Sequence, residues 1–158
     1  MLEVSGLSVG FIRYDKKLRP QRTEAVRDLG LSIDAGEIVA VVGSSGSGKS
    51  LLAHAILGIL PGNAEMTGTI RFQGEALTPE KQARLRGRQM ALVPQSVQYL
   101  DPLMRVGEQV KQSVRQGDPE ERQREAFAKY KLAPLVAKLF PFQLSGGMAR
   151  RVLVATAT

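Results

Sequence analysis

The first third of the chain contains the segment Gly43-Ser44-Ser45-Gly46-Ser47-Gly48-Lys49-Ser50. This segment matches the pattern G-x-x-x-x-G-K-[S/T] at every defined position. An apolar run from Ile38 to Val42 precedes it, and a second apolar run from Leu51 to Leu60 follows it. A buried strand, a glycine-rich turn and a helix in this order are the setting in which the pattern binds phosphate. The segment therefore predicts a phosphate-binding loop between a strand over 38–42 and a helix over 51–60.

The residue types of this loop suit a nucleoside triphosphate. Glycine lets the backbone curl, so that successive N–H groups point at one phosphate, and the following helix adds its positive end. Lys49 supplies a cation that reaches the β- and γ-oxygens, and the Ser50 hydroxyl is a suitable Mg²⁺ ligand. Kinases, GTPases, helicases, motors and transport ATPases all use such a loop, so it does not specify the function by itself.

Hydrophobic patterning around the loop predicts alternating strands and helices. The predicted strands are Met1–Val9, 29–33, 38–42, 69–72 and 89–93. One helix is predicted over 51–60, where Pro61-Gly62 ends it, and another over Val106–Val114. Three more helices are predicted to begin at Thr78-Pro79, at Asp118-Pro119 and after Ser145. A charged loop is predicted over 13–24. Alternation of this kind predicts an α/β fold with a parallel sheet.

Composition and charge restrict the class of protein. The chain has 158 residues, 43% hydrophobic and 23% charged, which are ordinary globular values and fit one domain or part of one. A formal net charge of +7 favours polyanionic partners or a solvated basic surface. The absence of cysteine excludes disulfide scaffolds and thiolate metal sites. No signal peptide or apolar tract of about 18 residues is present, so a cytosolic location is expected.

A second glycine turn lies about a hundred residues after the first. Ser145 can cap the helix that follows, and Gly146 and Gly147 leave backbone N–H groups uncovered. A single bound nucleotide is not expected to use two phosphate-binding helix starts of the same chain. Either this is an ordinary helix cap, or the turn faces a nucleotide that a second subunit holds.

With both turns in place, the chain resembles the ATP-binding subunits of ABC transporters. The loop Gly43–Ser50 is similar to the Walker A motif of that family, and Leu144–Met148 is similar to its signature motif, usually L-S-G-G-Q. Met148 stands in place of the final Gln, a change that affects a side chain more than the backbone donors. The resemblance implies a P-loop NTPase fold with a helical subdomain, and it implies ATP and Mg²⁺ as cofactors.

The same resemblance assigns further residues. Gln95 is similar to the glutamine of the family's Q-loop, which approaches Mg²⁺ and the attacking water, so Gln95 and Lys49 are the implied catalytic residues. Ser50 and Gln95 are the implied Mg²⁺ contacts. An aromatic ring after the first strand would stack on adenine; Phe11 and Tyr14 are both candidates, and Tyr14 is preferred. The lone His54 has no metal-binding companions and is expected to pack.

Several phrases resemble the importer branch for oligopeptides and nickel, with the nickel importers most similar. These phrases are residues 45–51, 57–61, 85–87 and 140–148. The implied function is ATP-driven uptake of nickel, a metal chelate or oligopeptides. The implied partners are a second ATP-binding subunit, two membrane-spanning permease subunits and, indirectly, a substrate-binding protein. The subunit would lie peripherally on the cytoplasmic side of the inner membrane, with residues 96–114 as the coupling surface.

In the family, an apolar strand ending in Asp and then a catalytic Glu follow the signature helix. No such pattern occurs in this sequence, so a truncated ATP-binding domain with part of its core missing is expected. Its expected organisation is a nucleotide-binding core over 1–94, the Q-loop, helical subdomain and signature over 95–147, and the start of the signature helix over 148–158. Hydrolysis by this chain alone is correspondingly doubtful.

Two alternative functions stay open at this point. One is a nucleotide-binding fragment without hydrolysis. The other is a DNA-associated ABC-type ATPase, which the lack of cysteines and of sustained heptads between Ser50 and Leu144 disfavours. The basic cluster of Lys81, Arg84, Arg86 and Arg88 has no interleaved aromatic residues, so no nucleic-acid partner is expected.

Overall fold

The computed structural model describes residues 1–15 and 17–157. Two compact units divide the chain, one over Met1–Leu85 and one that begins at Arg86. The first contains β1 (Leu2–Tyr14), β2 (Pro20–Ile33), α1 (Lys49–Leu57), β3 (Ala64–Phe72), β4 (Glu75–Ala76) and α2 (Pro79–Leu85). The second contains α3 (Val106–Ser113), α4 (Pro119–Lys129) and α5 (Gly146–Ala155), with short 3₁₀ turns at Val97–Tyr99, Pro134–Lys138 and Pro141–Gln143.

The sheet of the first unit has the order β2-β1-β3-β4, and every neighbouring pair is antiparallel. The β1–β2 turn is tightened by the Asp15 carboxylate, which accepts hydrogen bonds from the N–H groups of Lys17 and Arg19 at 2.7 and 2.9 Å. One apolar cluster joins the sheet to α1: Val4, Leu7, Val9, Val26, Leu52, Ala55 and Ile70. Burial of each Val or Leu side chain stabilises the unit by about 1.5–3 kcal/mol. The cluster thus fixes the phosphate-loop helix against the strands.

A buried glutamine fixes the other end of α1. The Gln82 side-chain amide donates to the carbonyls of Ala55 and Ile56 at 2.8 and 3.0 Å. These carbonyls lie in the last turn of α1, where the helix supplies few donors of its own; the Ala55 carbonyl also accepts from the Gly58 N–H at 3.1 Å. Gly58 then ends the helix with φ 65°, and a Cβ atom there would lie 2.3 Å from Gln82 Oε1. A side chain at position 58 would therefore break this contact between α1 and α2.

Three helices pack around a second apolar cluster in the second unit. Its most deeply buried side chains are Val106, Val110, Phe127 and Val152. The Lys111 ammonium ties α3 to α4, donating to Glu108 and Glu120 at 2.9 and 3.0 Å. The hydrogen bond that Lys111 donates to Glu108, followed by the one it donates to Glu120, raises the pKa of Lys111 above its ordinary value.

Two predicted strands are wrong. Residues 38–42 form no strand, and Ile38 and Val42 are 96% and 89% exposed. Residues 89–93 also form no strand; Gly87 instead donates to the Met90 carbonyl at 2.8 Å in a local turn. An apolar run becomes a strand only when a neighbour accepts its backbone hydrogen bonds. Within residues 1–15 and 17–157, no strand pairs with either segment, and the parallel strands expected there are absent.

Two predicted boundaries are also corrected. The charged stretch 13–24 is mostly strand, because β1 continues to Tyr14 and β2 begins at Pro20, the first position of a strand being open to proline. The helix predicted over 51–60 runs over Lys49–Leu57, because Gly58 ends it before Pro61 is reached. At 13–24, strand pairing outweighs the local charge. At the end of α1, the left-handed Gly58 stops the helix before the proline does.

Candidate functional site

The glycine loop over 43–50 turns directly into α1. Gly46 and Gly48 have φ values of 82° and 88°, in the left-handed region that glycine adopts readily. At Gly48 space is also restricted, because a Cβ atom would lie 2.7 Å from Val26 Cγ2 and 2.9 Å from the Ala25 carbonyl oxygen. At Gly46 a Cβ would meet nothing within 4 Å. Gly48 therefore lets the start of α1 approach β2 closely, whereas Gly46 serves only the turn.

Most backbone N–H groups of this loop are unused. Ser47 donates to the Ser44 carbonyl at 3.2 Å. In the part of the chain that the structure describes, no acceptor faces the other seven N–H groups of residues 43–50. The loop is exposed except at Gly48 and Lys49, which are half-buried. Unpaired amides at the start of a helix are suited to an anion with several acceptor oxygens.

The Lys49 side chain folds back across the loop. Its ammonium donates to the carbonyls of Gly43 and Ser44 at 2.8 and 2.7 Å, and Ser47 Oγ lies at 3.4 Å. The cation therefore closes the loop from one side. Ser50 follows on the first turn of α1 with an exposed side chain, as its predicted role as a metal ligand requires.

The strand register separates the two aromatic candidates. Val9 pairs with Val26, the residue next to Gly48, whereas Phe11 pairs with Thr23 and Tyr14 with Pro20. At a rise of ~3.3 Å per residue, Phe11 lies about 7 Å along β1 from Val9, and Tyr14 about 17 Å. Alternation puts Phe11 on the same sheet face as Val9, which packs with α1, and Tyr14 on the opposite face. Tyr14 is 67% exposed, and Phe11 is half-buried.

The second glycine turn opens α5 as predicted. Ser145 Oγ accepts a hydrogen bond from the Met148 N–H at 3.3 Å, which confirms Ser145 as the helix cap. Gly146 and Gly147 are exposed, and their N–H groups donate to no acceptor in the described ranges. Met148 packs against the apolar cluster of the second unit, which accounts for an apolar side chain at this position.

Gln95 lies in an exposed segment of the second unit, just before the 3₁₀ turn Val97–Tyr99. Its side chain contacts no hydrogen-bonding group among the described residues. Ser96 caps the turn by accepting from the Gln98 N–H at 3.2 Å. Gln95 and the Ser145 turn belong to the second unit, and the loop 43–50 and Tyr14 to the first.

The segment predicted as a coupling surface is ordered by a residue that the sequence did not single out. The Gln109 side chain accepts from the Asp101 N–H at 3.0 Å and donates to the carbonyls of Asp101 and Met104 at 2.9 and 2.8 Å. Beside this turn lies a cleft of about 340 Å³. Tyr99 and Leu103, on the same segment, are 72% and 87% exposed. No local sequence signal marks Gln109, because its acceptors lie five to eight residues away.

Residues 1–15 and 17–157 contain neither a membrane-length apolar helix nor a cluster of metal-binding side chains. None of their helices is both long and apolar enough to cross a membrane. No group of three or more His, Cys, Asp or Glu side chains among them is arranged to hold a metal ion.

Residues 26–158 match the ABC transporter family. This chain belongs to that family. The oligopeptide transport ATP-binding proteins OppD of Lactococcus lactis subsp. cremoris strain SK11 and of Escherichia coli K12 are 35% and 34% identical to it, over 170 and 181 residues. Both alignments cover 99% of this chain and 49% of the relative. The chain therefore spans about half the length of these relatives.

Other relatives and solved structures agree with the family. The glutathione import ATP-binding protein GsiA of Pectobacterium atrosepticum is 33% identical, over 99% of this chain and 27% of the relative. The ATP-binding cassette MJ0796, solved as a dimer in a post-hydrolysis state bound to ADP and Pi, superposes with a TM-score of 0.81 at 24% identity. That match covers 99% of this ABC chain and 68% of MJ0796. The predicted class, a P-loop ABC-type α/β fold, is confirmed.

Proposed function

We propose that this chain binds ATP through Gly43–Ser50 as part of the ATP-binding subunit of an ABC importer. The observation that carries the proposal is the set of seven unused N–H groups in the loop, with the Lys49 ammonium at its side. A triphosphate offers enough oxygens to satisfy that many donors at one place. The names of the relatives support peptides as the imported class, from oligopeptides to the tripeptide glutathione. Nickel, which the sequence phrases suggested, has no specific support among these relatives.

Mg²⁺ would accompany the nucleotide. Ser50 Oγ and the Gln95 side-chain oxygen are neutral, exposed oxygen donors, which is the donor chemistry that Mg²⁺ accepts alongside water and phosphate. The ion would supply charge neutralisation at the β- and γ-phosphates. Lys49 would hold the same oxygens from the protein side, and Gln95 would orient the attacking water. ATP hydrolysis is proposed for the whole importer subunit.

The Ser145–Gly147 turn would act in a pair of subunits. Its exposed N–H groups would face the triphosphate held by the loop of the second subunit, so that ATP joins the two. The permease subunits would dock on residues 96–114, where Tyr99 and Leu103 are exposed beside the cleft. The pair would thereby lie peripherally on the cytoplasmic face of the membrane, below a permease fed by a substrate-binding protein.

A comparison of ATP with AMP tests the nucleotide site. The loop is expected to hold the phosphates beyond the first, so AMP should bind at least about 30-fold more weakly than ATP, a difference of about 2 kcal/mol. Isothermal titration of the chain in Mg²⁺ buffer measures both constants. Equal affinity for ATP and AMP would show that the amides of 43–50 do not hold the phosphate chain, and the proposal would be abandoned.

The adenine contact gives a separate prediction. The register along β1 supports Phe11, because it shares the sheet face and the neighbourhood of Gly48. Phe11→Ala should lower ATP affinity about tenfold, as loss of one base-stacking ring does, and Tyr14→Ala less than twofold. Both variants should retain ATP-over-AMP discrimination, because the phosphate loop is untouched. The reverse ranking in the same titration would restore Tyr14 as the stacking residue.

A further inference from the structure

The Arg151 side chain joins the start of α5 to the end of α4. Its Nη1 donates to the Lys131 carbonyl at 2.8 Å and to the Tyr130 carbonyl at 3.3 Å. Its Nε donates to the Gly147 carbonyl at 3.3 Å. Gly147 is the second glycine of the Ser145–Gly147 turn, which is called the signature turn below. One guanidinium thus contacts three backbone carbonyls, one in α5 and two that directly follow α4.

Apart from Arg151, no hydrogen-bond donor in the described ranges reaches the two carbonyls that follow α4. α4 ends at Lys129, and Lys131 adopts a left-handed φ of 53°. Among the backbone N–H groups of residues 1–15 and 17–157, none donates to the Tyr130 or Lys131 oxygen. A cation at the carboxyl end of a helix also interacts favourably with the helix dipole. The Nη1 end of the Arg151 guanidinium is therefore fixed on the backbone that follows α4.

Met148 and Ala149 pack in the apolar cluster, and the Ala149 N–H donates to the Ser145 carbonyl at 2.9 Å, but the two glycines of the turn have less support. A Cβ atom at Gly146 or Gly147 would meet nothing within 4 Å, so neither residue packs against a neighbouring element. The Ser145 cap is a single hydrogen bond of 3.3 Å made within the turn itself. Arg151 adds a contact from outside the turn, because its other end is fixed on α4.

We propose that Arg151 is a positioning residue, which sets the place of the Gly146 and Gly147 N–H groups by linking the Gly147 carbonyl to the end of α4. The inference rests on the proposed function, in which these N–H groups face a nucleotide held by a second copy. A lysine cannot replace it fully, since one ammonium lacks the planar fork that reaches both helices.

The test compares Arg151→Met and Arg151→Lys with Arg150→Met. Arg150 is the adjacent residue on α5, is exposed, and has no hydrogen-bond or ion-pair contact within the described part of the chain. Both methionine variants lose one charge, so they differ only in the links that Arg151 makes. Three quantities are measured: ATP affinity of the dilute chain, ATP-dependent pairing by sedimentation velocity, and amide hydrogen exchange.

Arg151→Met should weaken ATP-dependent pairing about tenfold and speed exchange at Gly147, Met148 and Ala149. ATP affinity of the dilute chain and exchange at Val152–Ala155 should stay within twofold of the unaltered chain. Arg151→Lys should give an intermediate loss of pairing, and Arg150→Met should match the unaltered chain in all three measurements.

Three results would overturn the inference: unchanged exchange at Gly147 in Arg151→Met, faster exchange there with undiminished pairing, or an equal loss in Arg150→Met. A fall in ATP affinity that parallels the loss of pairing would assign Arg151 to general stability instead. If the unaltered chain does not pair with ATP, the proposed two-subunit site fails by itself. The exchange data would then still show whether Arg151 fixes the turn.

Discussion

Replacing Lys49 by alanine is expected to lower ATP affinity at least about 100-fold, which corresponds to about 3 kcal/mol. The substitution removes a cation that closes the loop by bonding the Gly43 and Ser44 carbonyls at 2.8 and 2.7 Å. It also removes the positive charge that would neutralise the β- and γ-phosphate oxygens. Both losses act on the nucleotide and not on the core, so the thermal unfolding midpoint should change by only a few degrees. Isothermal titration and thermal unfolding of the same preparation measure the two effects.

Lys138→Ala is the matched control for this prediction. Lys138 is exposed, lies in the second unit and makes no side-chain hydrogen bond or ion pair with the residues the structure describes. Its removal lowers the net charge by one, as Lys49→Ala does, so any loss caused by overall charge would appear in both variants. ATP affinity within twofold of the unaltered chain is expected for Lys138→Ala. Undiminished ATP binding by Lys49→Ala would remove this loop from the proposed site.

The local structure that the sequence predicted correctly around the candidate site, its turns and helix caps, is set by neighbouring residues. Glycine spacing located the loop and the start of α1, because left-handed turns and bare helix amides require glycine at those places. The residues that cap helices were also predicted correctly from the sequence. The Asp118 carboxylate accepts from the N–H groups of Glu120 and Glu121 at 3.2 and 3.3 Å, and Ser145 caps α5. In each case donor and acceptor lie within a few residues of each other.

The parts that the sequence did not predict depend on pairing over long distances. The run 38–42 has the composition of a buried strand, yet a strand is defined by its neighbour, and none of the described strands lies beside it. Arg151 and Gln82 act on carbonyls 20 to 27 residues away, and nothing in their local context distinguishes them from ordinary surface residues. The proposed preference for Phe11 over Tyr14 likewise rests on the register of β1 on β2, which the sequence pattern does not fix.

Gly48→Ala is expected to be more damaging than an alanine at any other glycine of the loop. The new Cβ would lie 2.7 Å from Val26 Cγ2 and 2.9 Å from the Ala25 carbonyl oxygen, and the residue would need a φ of 88°. Left-handed strain in a non-glycine residue costs about 1–2 kcal/mol, and overpacking a well-filled contact about 1–3 kcal/mol. Urea unfolding should therefore show a loss of about 2–5 kcal/mol in the free energy of unfolding. ATP affinity should fall at least about 30-fold, because the start of α1 must move away from β2.

Gly46→Ala separates the two causes. Its φ of 82° is nearly the same as that of Gly48, but a Cβ there would meet nothing within 4 Å. This variant carries the left-handed strain without the collision, so its free energy of unfolding should fall by only about 1–2 kcal/mol. The difference between the two variants measures the contact between Gly48 and β2. If Gly46→Ala and Gly48→Ala lose the same free energy, the close approach of α1 to β2 is not what selects glycine at position 48.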